Sequence, residues 1–334
     1  MTMTNEHDAP VLLSVRHRTG LIELNRPKAL NSLTPEMIDI ITKALRMWGP
    51  DDDIDQVVVF SSHPKAFCAG GDVRHARSEV LEGGDPDSFF EAEYALNAAL
   101  SEFPKPYIAV LDGVAMGGGL GISLHGSHRI VTDKAFASMP EMAIGYVTDV
   151  GVPYMSQRTM SPALAKFWGV TGYRMYAADL LYTGLATGYT EDPTAFIEDV
   201  VAHGISSAQL SDAAARGPAP LAALAPAIEE AFAHSTWPEI LAACTPELRE
   251  LVDELTAAAS PTSIVAALEL YDFESRAADI REALAAELRL GTYLIRQPDF
   301  AEGVRAVLVD KSKDAAFSPA TVEDVDVAAL RAQL

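Results

Sequence analysis

Cysteine is nearly absent: the 334 residues hold only Cys68 and Cys244. Two thiols build neither a disulfide framework nor a metal cluster, and they fit a reducing compartment. Long apolar runs are missing too, since no segment approaches the roughly 18 residues needed to cross a membrane. Basic residues are scarce, 25 Lys and Arg against 47 Asp and Glu, for a net charge of −22. That balance argues against a nucleic-acid or anionic-membrane partner held by bulk charge. A small anionic ligand stays compatible, because screening over about 8 Å makes the local field decisive. Met1–Pro10 is polar and acidic, unlike a secretory signal or an Arg-rich transit peptide, so a cytoplasmic location is expected. What is present is a 49% apolar, 22% charged composition, the balance of a soluble globular protein with a sizeable core. The length suits one large domain or two of about 150 residues.

The N-terminal half alternates strand and helix signals. Val11–Arg16 and Leu21–Asn25 read as a hairpin around Thr19-Gly20. Thr34-Pro35-Glu36 opens a helix, with Thr34 as N-cap and Pro35 in the first turn. Val57–Ser61 is an almost purely apolar strand of the kind buried on both faces; Tyr107–Leu111 and Arg129–Thr132 are further strand candidates. Each is followed by a glycine-bearing loop and a helical stretch, the pattern of β-α units with ligands at strand ends. Beyond about Thr190 the strand signal fades. Alanine-rich stretches at Leu221–His234, Pro246–Ala259 and Ile280–Leu290 read as helices, broken at Gly217-Pro218 and Ser260-Pro261. The division expected is a core over residues 10–200 and a helical C-terminal region over 201–334, with no internal sequence repeat.

Three clusters could carry chemistry. Phe67-Cys68-Ala69-Gly70-Gly71-Asp72 follows the Val57–Ser61 strand, and its paired glycines permit a tight turn and close approach to a ligand. Met116-Gly117-Gly118-Gly119 follows Tyr107–Leu111 and opens a helical stretch with backbone N–H groups that favour negative charge. Amides from two such loops could cradle a developing oxyanion, although glycine-rich turns are more often structural. The third cluster, Met139 to Gly151, sets Glu141 and Asp149 in apolar or neutral surroundings. Burial beside a like charge raises a carboxylate pKa toward neutrality, as a general acid or base requires; a helix-capping Glu and a turn Asp fit the same spacing. His75 and His125 lack metal-ligand spacing. Cys68 reads as a small buried residue, and Ser123 lies outside any Gly-x-Ser-x-Gly elbow.

The order of these clusters resembles the crotonase, or enoyl-CoA hydratase/isomerase, superfamily. The segments that carry the likeness are Leu24-Asn25-Arg26-Pro27-Lys28-Ala29-Leu30-Asn31-Ser32-Leu33, Lys65–Asp72 and Gly117–Gly119. The resemblance implies an α/β crotonase (ClpP-like) spiral of β-β-α units with a helical C-terminal region, acting on acyl-CoA thioesters. It implies an oxyanion hole at the amides of Ala69 and Gly118, with Gly70, Gly71, Asp72 and Gly117 lining the substrate. Arg26 and Lys28 would lie toward the CoA nucleotide, which would let an acidic protein hold an anionic ligand. No metal or redox cofactor is implied, because CoA is part of the substrate.

Within the superfamily the chain is most similar to the 3-hydroxyisobutyryl-CoA hydrolases. Gly121 stands where hydratases place a glutamate. Leu120–Gly126 is hydrolase-like, and Glu141 and Asp149 match the two acidic positions of that branch. Phe89-Phe90-Glu91-Ala92-Glu93-Tyr94 and Asp299–Ala306 with Asp310-Lys311 resemble its other segments. The branch implies Glu141 as general base or nucleophile, Asp149 orienting water or the substrate hydroxyl, and Glu93 binding that hydroxyl or supporting the hole. One departure is Val147-Thr148-Asp149-Val150-Gly151-Val152-Pro153, where the hydrolases usually carry Phe-Pro-Asp-Val-Gly-Gly-Gly; it bears on the acyl group more than on the reaction. Two alternatives stand beside the hydrolase: a hydratase or isomerase of the same fold, and a non-catalytic CoA-binding protein. Crotonase-like proteins commonly form trimers, so a homo-oligomer is open, with the helical C-terminus able to replace those contacts.

Overall fold

The computed structural model describes residues 9–213 and 217–334; most of the acidic Met1–Pro10 segment lies outside the described residues. Among the described residues short runs form ten strands: β1 Val11–Arg16, β2 Thr19–Leu24, β3 Gln56–Ser61, β4 Ala66–Cys68, β5 Tyr107–Leu111, β6 Val114–Met116, β7 His128–Val131, β8 Phe136–Ser138, β9 Met175–Tyr176 and β10 Gly188–Tyr189. They make a six-stranded sheet, β1-β2-β3-β5-β7-β10, and a four-stranded sheet, β4-β6-β8-β9. β1 pairs antiparallel with β2, and the ladders from β2 through β3, β5 and β7 to β10 are parallel. Successive pairs β3/β4, β5/β6 and β7/β8 each give one strand to each sheet. The chain therefore winds in repeating turns even though no repeat is legible in its residues. The corners of successive turns are tied to one another, Val114 N–H to Lys65 O at 3.0 Å and Phe136 N–H to Gly113 O at 3.2 Å.

The hairpin turn falls at His17-Arg18, with His17 in the left-handed region at φ 52°, and not at Thr19-Gly20. Thr19 is buried and its hydroxyl accepts from Gln56 Nε2 at 2.9 Å, which draws it into β2 beside β3. Thr34 caps the helix Pro35–Trp48 through Met37 N–H, as its sequence predicts. The centre of the large sheet, Val58, Ile108, Val110 and Ile130, packs against Phe196, Ile197, Val200 and Val201 of the helix Pro193–His203. Such strands, buried on both faces, carry no polar alternation.

Contacts divide the described chain into two units that interleave in sequence. The first holds the segments up to Gly71, Ala95–Ala137 and Met175–Ala219; the second holds Asp72–Tyr94, Ser138–Arg174 and Pro220–Leu334. The expected sequential division at residue 200 is therefore replaced. The strand segments must gather around their ladder partners. The loops and helices between them pack instead with the C-terminal helices Pro220–Ala231, Trp237–Ala243, Pro246–Thr256, Pro261–Glu274, Ile280–Leu294 and Pro298–Val304. Among the described residues no single helix is long and apolar enough to cross a membrane.

Candidate active site

In the first unit β4 and β6 are parallel neighbours, so the two glycine-rich loops leave from adjacent carboxyl ends, where open α/β sheets place ligands. Gly119 lets them touch: a Cβ there would stand 2.3 Å from Cys68 O. Gly117 holds φ 45° and ψ −124° ahead of the four-residue helix Gly118–Gly121, whose residues are all buried. Among the described residues, the Gly118 and Gly71 amides donate to no protein acceptor. The Ala69 amide does: it donates to Leu30 O at 3.0 Å. This corrects the expectation that Ala69 supplies an oxyanion donor, because its N–H is consumed inside the fold. The amide two residues on, at Gly71, is the one left to donate.

The Arg26–Leu33 stretch supports this loop. Asn31 is wholly buried, and its side-chain amide donates to Phe67 O at 2.9 Å and Ser61 Oγ at 2.7 Å. Cys68 Sγ donates to Asn31 O at 3.0 Å, a packing role. Arg26 sends one guanidinium nitrogen to Ser32 O at 2.9 Å, so part of its donor capacity is spent locally; Lys28 is exposed. Gly70 sits at φ 109° and accepts from Leu33 N–H. The Gly121 amide closes the short helix onto Gly117 O. The Ser123 hydroxyl bonds Gly119 O at 2.8 Å, which removes it as a nucleophile.

The second unit carries the carboxyls. Glu93 lies on the helix Asp87–Ser101, Glu141 opens the short helix Glu141–Ile144, and Asp149 stands two residues before Gly151, the N-cap of the helix Val152–Thr159. All three are buried, at 2%, 8% and 5% exposure. Burial pushes Glu93 well above the ordinary carboxylate range, and the Asp149 charge adds to it. Burial does the same to Glu141, with Asp149 and then Glu93 contributing. Asp149 is pushed up to about 7 by burial, against the Tyr94 hydroxyl, which favours its ionised form. Tyr94 donates to Asp149 Oδ2 at 2.6 Å and shares a 3.0 Å hydrogen bond with the Tyr146 hydroxyl. Glu93 Oε1 and Glu141 Oε2 have no protein partner. With Asp149 raising both glutamates and Glu93 raising Glu141, the three cannot all ionise near neutrality. The Tyr94 hydroxyl favours the ionised form of Asp149, whereas each of the two glutamates leaves one oxygen open to a ligand. Asp72 begins the helix Val73–Glu82 in this unit without capping it through its side chain. Among the described residues no group of three His, Cys, Asp or Glu has metal-binding geometry.

Sequence reasoning passed over the residues that set Asp149. Tyr94 closes the Phe89–Tyr94 segment and Tyr146 lies inside the third cluster, but neither signals a contact with Asp149. Glu274 and Glu287 do leave a signal: both are fully buried on C-terminal helices, and Glu287 occupies the apolar face formed by Ala283, Leu284, Leu290, Gly291 and Leu294. A carboxylate inside a helix's buried stripe is uncommon unless it is paired.

The enoyl-CoA hydratase/isomerase family profile matches residues 19–334. A 3-hydroxyisobutyryl-CoA hydrolase of Danio rerio is 34% identical over 97% of this chain and 88% of its own length. That of Homo sapiens is 33% identical over 97% and 89%; both are named as mitochondrial. Among solved structures, one described as a carnitinyl-CoA dehydratase from Mycobacterium thermoresistibile superposes with a TM-score of 0.91 at 32% identity, over 98% of this chain and 96% of that one. An enoyl-CoA hydratase from Rhodobacter sphaeroides 2.4.1 gives 0.89 at 32% identity, over 97% of each chain. The winding of paired strands through two sheets, the paired glycine loops and the match along nearly all of the chain agree: this protein belongs to the enoyl-CoA hydratase/isomerase family, the crotonase superfamily.

Proposed function

We infer that the chain hydrolyses a short branched acyl-CoA thioester of the 3-hydroxyisobutyryl-CoA kind. The observation that carries this reading is the buried helix Gly118–Gly121, Gly-Gly-Leu-Gly, which leaves no carboxylate where the resemblance to hydratases calls for one. The relatives named as hydrolases, at 33–34% identity, support it. Thioester cleavage needs charge stabilisation on the carbonyl oxygen, an oxygen nucleophile and a protonated leaving thiol. In this reading the Gly71 and Gly118 amides take the developing oxyanion, and losing one such donor costs about 10²–10³ in kcat. Glu141 in its ionised form either removes a proton from water or attacks the carbonyl carbon itself. On the water route, the water oxygen bonds to carbon, the C–S bond breaks, and the proton taken by Glu141 goes to the sulfur. On the direct route, an acyl anhydride forms at Glu141 with loss of the thiolate, and water then cleaves it. Asp149 orients the water, and Glu93, holding its proton, hydrogen-bonds a substrate hydroxyl.

Hydration or dehydration is the second reading, favoured by the two solved structures named for those reactions. Product analysis on 3-hydroxyisobutyryl-CoA and crotonyl-CoA separates the two. Free thiol from the first with little hydration of the second is expected; efficient crotonyl-CoA hydration without free CoA would overturn the hydrolase reading. Full activity in EDTA without added nicotinamide or flavin is expected in the same assay. A cytoplasmic location is retained as part of this reading, although the relatives are named as mitochondrial; fractionation of source cells tests it.

A further inference from the structure

Asp149 lies at the start of a backbone segment that the sequence alone would disfavour. Val150, β-branched and buried, has φ 55°, and Gly151 follows at φ 74°. A positive φ at a β-branched residue is a true outlier, tolerated only where the surroundings fix it. The turn closes through Val152 N–H to Asp149 O at 3.0 Å. Its other anchor is Glu287: the Gly151 amide donates to Oε1 and Oε2, each at 3.0 Å.

The same helix, Ile280–Leu294, reaches Asp149 a second way. One turn beyond Glu287, Gly291 leaves room for the Tyr146 hydroxyl, which a Cβ there would meet at 2.1 Å. Tyr146 bonds Tyr94, and Tyr94 bonds Asp149. Glu287 and Gly291 lie at i and i+4, on one helical face. The helix thus contacts both the backbone turn and the hydroxyl chain that fix one carboxyl. Glu274, at the end of the helix Pro261–Glu274, is fully buried. Burial pushes it up to about 8, while Glu287 is raised by burial, by Glu274 and by Asp149. The other titratable groups around this pair are Tyr94, Tyr146 and Tyr271, with Arg158 as the cation acting on Glu274.

We propose that Glu287 is a positioning residue for Asp149: its side-chain oxygens hold the Gly151 amide, and with it the left-handed Val150-Gly151 turn that aims the Asp149 side chain. A carboxyl group offers the amide an acceptor oxygen whether or not it holds a proton, so the anchor on Gly151 does not depend on the charge of Glu287. The catalytic consequence of this inference rests on the thioester reading above; the positioning of Asp149 does not.

Two measurements test it. In thiol-release assays Glu287→Leu, which leaves the Gly151 amide without an acceptor, lowers kcat about tenfold with KM within about threefold. Glu287→Gln, which keeps an acceptor oxygen, restores kcat to within about threefold of wild type. In carboxyl ¹³C NMR titration, which needs no substrate, the Asp149 midpoint moves by about half a unit or more in Glu287→Leu and stays near wild type in Glu287→Gln, because the released turn changes the burial and hydrogen bonding of the Asp149 carboxyl. That shift in a protein that cleaves no thioester upholds the positioning role and removes the hydrolase reading instead. A Glu287→Leu protein that melts like wild type with unchanged kcat, or one whose Asp149 midpoint is unmoved, overturns the inference.

Discussion

The first unit offers backbone, the second offers side chains. The strands, apart from Ser138 at the end of β8, and the glycines of both loops lie in the first, and its two unpartnered amides owe their place to ladder pairing and close loop contact. The second unit is helical, and its chemistry is a set of carboxyls whose state depends on burial and neighbours. A backbone donor has a fixed charge distribution, so geometry alone makes or breaks it. A buried carboxyl can keep its position and still change its function by gaining or losing a proton.

The contrast can be broken hardest at the amides. Gly118→Val, which misplaces a donor, should lower kcat by about 10²–10³ while the melting curve stays near wild type; a fully active variant would remove Gly118 from the cradle. Glu141→Gln should lower thiol release by at least about 10²-fold, and adding Asp149→Asn should cost little more than the worse single variant, since groups that act as a unit are not additive. Stopped assays on the three proteins check this, and full additivity would contradict it. Tyr94→Phe sharpens the side-chain half. Its hydroxyl favours ionised Asp149, so losing it should move the pH–rate limb from near 7 to higher pH and cost about tenfold at neutrality. A limb that stays in place would detach Tyr94 from Asp149.

A smaller effect is expected in stability. Glu141 and Glu274 have folded pKa values raised above the unfolded ones, so their contribution is fully present below about pH 4.5 and is lost as pH rises through the folded values. Glu274→Gln should therefore raise Tm by about 2 °C or more at pH 8 and hardly at all at pH 4.5; calorimetry at both pH values decides. Cys68→Ser should be the mildest change, within about twofold in kcat, because a hydroxyl can donate to Asn31 O as the thiol does.

The sequence made the first unit easier to read than the second. Tyr107–Leu111 and the Thr34 cap follow from local pattern, and the glycine loops announce themselves by composition. The assignment failed at Ala69 because only the folded chain shows that Leu30, itself at φ 51°, turns its carbonyl onto that amide. In the second unit Glu141 and Asp149 were visible as carboxylates in apolar company. Their coupling to Glu93, Tyr94 and Glu287 was not, because these groups come from other segments, Tyr94 lying 55 positions from Asp149 and Glu287 136 from Gly151. The interleaved units escaped notice for the same reason: sheet ladders join distant segments that composition along the chain treats as separate.

That interleaving also sets a timetable for synthesis. A ribosome has made every segment of the strand unit once Ala219 is out, while the other unit still lacks Pro220–Leu334. At about 5–20 residues per second that remainder takes on the order of ten seconds. Throughout this interval Glu93, Glu141 and Asp149 exist without the helices Pro261–Glu274 and Ile280–Leu294, and the strained Val150-Gly151 turn has no Glu287 to hold it. Nascent chains halted near residue 219 should therefore offer a protease Ser138–Arg174 but protect β3, β5 and β7, and the enzyme should gain its activity only as the last helices arrive.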